Sequence, residues 1–206
     1  MIRDRLETRL ALVVLTACAA AQHPPGPDVR AEVRAAEDAE RARQHDVARA
    51  KYQQAVADAR DPASVGFAKN RFGETLATWG EYADAKTMLE GAVAATPDEP
   101  SAWYDLGIVR EHGGDSRGAL DAFERAKRLV PSDWRPRRTL AALHWKLAAE
   151  CLRATPDAPA CGADVEATKA EYRAMLALDL PARLRSKVEW ALAQLASPNA
   201  GVRPAS

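Results

Sequence analysis

From residue 66 to residue 133, apolar and small residues return at intervals of three and four with charged residues between them, and glycine or proline interrupts the pattern at regular distances. That period is helical, and it predicts amphipathic helices that each turn one face inward. Trp103, Leu106 and Gly107 share one face of a first helix, while Ala119, Phe123 and Ala126 recur at four and three on the face of a second. Between them Gly113-Gly114-Asp115 reads as a break, since glycine tolerates the positive φ that ends a helix and aspartate caps the next amino terminus. Pro131 stops the second helix.

The pattern repeats. At a shift of thirty-four residues Phe72 pairs with Leu106, Gly73 with Gly107, Gly80 with Gly114, Ala85 with Ala119, Leu89 with Phe123, Ala92 with Ala126 and Pro97 with Pro131. Seven coincidences at one period mark an internal repeat of helix pairs. The copy at 100–133, Trp-x2-Leu-Gly followed by Ala-x3-Phe-x2-Ala-x4-Pro, resembles the tetratricopeptide repeat consensus, with Arg110 standing where that family usually carries a bulky apolar residue. Residues 66–99 form a second clear copy, with Lys69 in place of the first aromatic and Leu89 in place of the second. The resemblance implies an all-α fold: an α-solenoid of antiparallel helix pairs, the right-handed superhelix of that family, closed by a C-terminal capping helix.

The flanks depart from the consensus. Residues 29–65 read as a degenerate first repeat, with Ala35 and Ala39 on its first helix, Ala48, Tyr52 and Ala55 on its second, and about three linker residues around Ala63 to Val65. Residues 134–180 read as a degenerate fourth. Leu140-Ala141 falls thirty-four after Leu106-Gly107 on a helix from Trp134 to Ala149, but the glycine turn is missing. A loop from Cys151 to Cys161 with two prolines is expected there, then a helix from about Asp164 to Leu178. Residues 181–196, with Leu184, Val188, Ala191, Leu192 and Leu195 on one face, suit a terminal cap, and 197–206 read as a disordered tail.

The amino terminus follows another logic. Charged residues to Arg9, an apolar run from Leu10 to Leu15 and the small residues Thr16-Ala17 before Cys18 have signal-peptide anatomy. The run is far short of the roughly 20 residues a spanning helix needs. Leu15-Thr16-Ala17-Cys18 resembles the bacterial lipobox, which implies that residues 1–17 are a lipoprotein signal peptide and that Cys18 becomes a lipidated first residue. Ala19-Ala20-Ala21 offers a competing cleavage site that would release a soluble periplasmic protein instead. Ala19 lacks the aspartate of inner-membrane retention, so an outer-membrane anchor facing the periplasm is expected, with 18–28 as a Pro-rich tether. In an exported chain Cys151 and Cys161, the two remaining cysteines, are expected to pair as a disulfide, with two free thiols as the alternative.

Charge and chemistry narrow the function by subtraction. Lys plus Arg equal Asp plus Glu at 29 each, which carries no nucleic-acid footprint. No phosphate loop, nucleophile elbow or zinc-protease helix is present, and none of the four histidines has ligand spacing, so neither an enzyme nor a cofactor or metal protein is expected. His112 with Glu111 and Asp115 can be drawn as an acid-base group, but a solvated helix end is the plainer reading.

The family resemblance implies a protein-binding scaffold whose first helices line a groove for a partner peptide or helix. Carried over, the groove positions are Phe67, Asn70, Glu74 and Thr78, then Ser101, Tyr104, Ile108, Glu111 and His112, then Arg135, Arg138, Ala142, Trp145 and Lys146. Their drift from polar to aromatic to basic suits a partner with an apolar anchor and an acidic end. Asn70 and Arg138 are similar to two members of the dicarboxylate clamp that holds chaperone carboxy termini, yet the full clamp is absent. A membrane-anchored interaction scaffold of the bacterial envelope, without catalysis and serving as an assembly factor, is the expectation; a regulatory or spacer subunit of an envelope enzyme is the alternative.

Overall fold

Nine helices form among the described residues, which in the computed structural model are 28–155 and 159–196. They are α1 (Val29–Arg41), α2 (His45–Asp58), α3 (Pro62–Thr78), α4 (Tyr82–Ala95), α5 (Pro100–His112), α6 (Ser116–Leu129), α7 (Trp134–Ala154), α8 (Pro159–Leu176) and α9 (Ala182–Ala196). The leader, Cys18, the tether up to residue 27 and the tail from residue 197 lie outside the described residues. Among those described, no helix is long and apolar enough to cross a membrane.

Acidic caps start the first helix of each pair. Asp28, Asp61, Glu99 and Asp133 accept from the backbone N–H of Ala31, Ser64, Ser101 and Arg135, answering donors that a helix start leaves open. Three hairpins then turn alike. Gly80 and Gly114 adopt φ of 84° and 81°, and Arg43 takes the same left-handed conformation at 57° between α1 and α2. In each, the next N–H reaches back across the turn: Gln44 to Ala39 O, Glu81 to Leu76 O, and Asp115 to Arg110 O, all at 2.9 Å.

The chain divides into two compact units, up to Ala59 and from Arg60. In the first, Val29, Val33, Ala36 and Ala39 of α1 are buried, as are Ala48, Tyr52 and Ala55 of α2. The inward residue is Ala36 and not the expected Ala35, because the four-and-three stripe runs from Val29 and Val33.

The second unit stacks α3 to α9 as successive antiparallel pairs, an all-α solenoid arrangement. Gly107 admits Phe123: a Cβ there would lie 2.5–2.8 Å from the ring. Gly73 plays the same part for Leu89, whose Cγ would be 2.7 Å away. Arg110, the departure from consensus, spans three helices by donating to Gly118 O and to Glu90 Oε1, both at 3.2 Å. Trp103 fastens the preceding turn through its indole N–H on Pro97 O at 2.9 Å.

Two expected loops are helix instead. Ala63 to Val65 lie in the first turn of α3, because Asp61 caps and Pro62 is preorganised for a first helical position. The extra turn makes α3 17 residues long against 13 for α5, and it absorbs the register shift. Cys151 to Ala154 continue α7, since Ala148 stands where Gly114 has its counterpart and gives the helix no reason to stop. Likewise α8 starts at Pro159, ahead of the expected Asp164. Cys151 and Cys161 are joined by a disulfide, with Cα atoms 5.4 Å apart, binding the end of α7 to the start of α8. At Ala141 the missing glycine is harmless, because Thr168 rather than a phenyl ring lies against this turn, its Oγ1 3.4 Å from Ala141 O. Met175, Leu180 and Val188 form the last core cluster, with Leu184 and Leu192 of α9 packed over it.

Candidate functional site

The first helices α3, α5 and α7 are connected by side-chain rungs. Asn70 donates through Nδ2 to Ser101 Oγ at 3.1 Å, and Ser101 Oγ lies 2.7 Å from Glu99 Oε1. Four residues on, Glu74 faces Asp105, whose carboxyl feels its charge. From α5 to α7, Tyr104 OH is 3.2 Å from Thr139 Oγ1, and Lys146 Nζ is 3.7 Å from Glu111 Oε1.

Between α3 and α5 opens a cleft of about 210 Å³ lined by Glu74, Ala77, Thr78, Tyr82, Asp105, Ile108 and His112. Its rim is aromatic. The Tyr82 and His112 rings stack with centroids 4.6 Å apart and planes inclined by 6°. Asp105 is the unusual group. Burial, then the charge of Glu74, pushes its carboxyl up to about 7, with Arg71 opposing and Glu99 reinforcing. No donor among the described residues hydrogen-bonds it. A carboxyl held near neutrality in a cleft is a functional-site signal.

Of the expected groove positions, Glu74, Thr78, Ile108 and His112 meet in this cleft, and Tyr104, Glu111 and Lys146 form the rungs beside it. Asn70 is 8% exposed and lies in the α3–α5 seam instead of open on the face. Its Oδ1 has no partner among the described residues. Phe67 and Trp145 are half-buried, and Ala142 is exposed. The basic end is partly engaged: Arg135 pairs with Asp133 at 2.7 Å, and Arg138 lies over the Trp134 ring at 5.3 Å. The drawn acid-base group separates, since His112 stacks on Tyr82, Glu111 pairs with Lys146 and Asp115 caps α6 through Gly118 N. Asp105, Ala77 and Tyr82 were not among the expected groove residues. A second spacing points to the first of them: Glu74 to Asp105 is the same thirty-one residues as Asn70 to Ser101.

A family model described as tetratricopeptide repeat matches residues 70–133, the two copies that share the Gly107–Phe123 and Gly73–Leu89 contacts. Residues 70–133 are thus similar to tetratricopeptide repeats. Solved structures agree on the fold. The Pseudomonas aeruginosa pilF protein superposes with a TM-score of 0.58 at 17% identity, covering 81% of this chain and 68% of its own. A protein from Bacteroides ovatus described as a putative protein binding protein gives 0.51 at 10% identity, covering 82% of this chain and 98% of its own. At such identities only the fold is shared. No curated protein sequence matches the chain. The tetratricopeptide fold is a protein-interaction scaffold, and the cleft lies on its first-helix face.

Proposed function

We propose that this tetratricopeptide-repeat protein is held at a bacterial envelope membrane by lipid on Cys18 and binds a segment of a partner protein along α3, α5 and α7, without catalysing a reaction. The rungs and the cleft carry the binding half of this reading, because they put a row of polar and aromatic side chains on the first helices of three successive pairs. The Cys151–Cys161 bond supports the export half, since disulfides persist outside the reducing cytoplasm. Anchored in this way, the scaffold serves assembly of an envelope machine.

Two measurements test the halves separately. Metabolic labelling with a palmitate analogue should mark wild type and not Cys18→Ala. An unlabelled wild type sinks the anchor and leaves a released periplasmic scaffold. Ala142→Arg places bulk on an exposed site of α7 without touching the core, so a partner captured by wild type should be lost from this variant. Undiminished capture by Ala142→Arg and by Trp145→Ala, with unchanged melting, sinks the groove.

A further inference from the structure

We propose that the cleft between α3 and α5 is a subsite for one cationic side chain, lysine or arginine, of the bound partner segment. This rests on the partner-binding reading of the first-helix face and names the chemistry of one position within it. Size comes first. At about 210 Å³ the cleft is smaller than the roughly 300–1,000 Å³ of small-molecule pockets, and it suits a single long side chain.

Its walls match such a chain along its length. Ala77 and Ile108 offer apolar contact for a methylene stem, and the Tyr82–His112 stack supplies an aromatic face. Glu74 and Asp105 supply the negative end. Asp105 has no hydrogen-bond donor of its own among the described residues, so an arriving ammonium or guanidinium would supply one. Arg71 reaches Glu74 at 2.5 Å but within one helix, three residues apart and half in solvent, a pairing that a better placed cation replaces readily. A bare metal ion fits less well. Among the described residues no three carboxylate, imidazole or thiol groups lie close enough together to hold one.

The subsite also has a pH dependence. Asp105, pushed up to about 7, takes its charge in the neutral range, and a cation bound beside it favours that charge. The groups facing it are Glu74 and Arg71 from α3, Tyr82 from α4, and Glu99 and His112 from its own helix and the turn before it. Occupancy by a cation should therefore strengthen as pH rises through neutrality.

The test uses the full chain and three capped tripeptides, acetyl-Leu-Lys-Leu-amide and its norleucine and glutamate counterparts, followed by NMR. The lysine peptide should shift the amides of Glu74, Thr78, Asp105 and Ile108 and bind about tenfold more tightly than the norleucine peptide, about 1.4 kcal/mol. Asp105→Asn should remove that preference and its rise with pH; Glu74→Gln should weaken it, both with melting checked. Because histidines as a class change charge in the same interval, the pH series is repeated in His112→Gln, where the rise must persist. Equal binding of lysine and norleucine peptides on α5 and α7 overturns the subsite and leaves the groove standing. Lysine-peptide shifts that map away from the cleft, or none up to the solubility limit, overturn the subsite; silence of all three peptides on α3, α5 and α7 counts against the groove as well.

Discussion

Gly107 is flat against Phe123: any Cβ at position 107 would meet the ring at 2.5–2.8 Å. Neither can change without the other. Gly107→Ala should cost about 1–3 kcal/mol by overpacking, and Phe123→Ala about 3–5 kcal/mol by leaving a cavity among Ala119, Leu140 and Leu143. Phe123→Ala removes the ring atoms that a Cβ at position 107 would meet, so adding Gly107→Ala to Phe123→Ala should cost little more than Phe123→Ala alone. Denaturant titration of the four chains checks this, and strictly additive losses would sink the coupling.

The turn at Arg43 gives a prediction of opposite sign. Its φ of 57° is the conformation glycine holds at Gly80 and Gly114, and a side chain there is strained. Arg43→Gly should stabilise the α1–α2 hairpin by about 0.5–1 kcal/mol, with Gly114→Ala destabilising its own turn by a similar amount. Hydrogen exchange of α1 and α2 reads the first effect locally. Faster exchange in Arg43→Gly would contradict it.

These two contacts show what the sequence made legible. Glycines opposing Leu89 and Phe123 impose packing constraints at a fixed period of thirty-four, so a single chain displays them. The α7–α8 pair hid its length for a local reason: Ala148 is a good helix former where a glycine turn was expected, and Pro159 begins a helix where a proline pair suggested a loop. Asp105 was hidden for a non-local one. Its environment comes from Glu74 and Tyr82 on two neighbouring helices, at a spacing other than the repeat, and no periodicity within α5 reveals it.

The disulfide should matter for α7 and α8 more than for the rest. It closes a separation of 10 residues, worth up to about 2.7 kcal/mol in the chain-entropy model. Cys151→Ala with Cys161→Ala should lower the melting temperature and speed hydrogen exchange near His144 and Asp164, which are joined at 2.7 Å across the same pair. Reductant should do the same to wild type and nothing to the variant. Identical melting with and without reductant would show that helix packing alone holds this end.

Asp105 predicts how stability varies with pH. In the unfolded chain its carboxyl ionises near 3.8, while the folded one holds its proton until about 7. Between those values the unfolded state loses the proton first, so stability contributed by this group falls as pH rises through the interval and levels off above it. The open cleft lets water and salt screen the effect, so we expect a loss of about 1–2 kcal/mol from about pH 5 to about pH 8. Asp105→Asn should lack that loss and be the more stable chain at the upper end. Parallel curves for the two proteins would show that the carboxyl is solvated as usual.

Glu171 joins α6, α7 and α8 through one carboxylate: Lys127 Nζ lies 2.7 Å from Oε1 and Arg137 Nη1 3.1 Å from Oε2, with all three side chains less than 20% exposed. Lys127 keeps Glu124 at 2.6 Å if Glu171 is removed, whereas Arg137, whose Nε already lacks a partner among the described residues, would be left as a buried charge. Glu171→Ala should therefore cost about 3 kcal/mol, near the lower end for breaking a buried pair. Arg137→Met added to Glu171→Met removes both charges and should restore most of it, because well-packed apolar replacements of an ion pair are often neutral. Denaturant midpoints decide the matter. If the double variant is no more stable than Glu171→Ala, the loss comes from packing around the Glu171 stem and not from the stranded guanidinium.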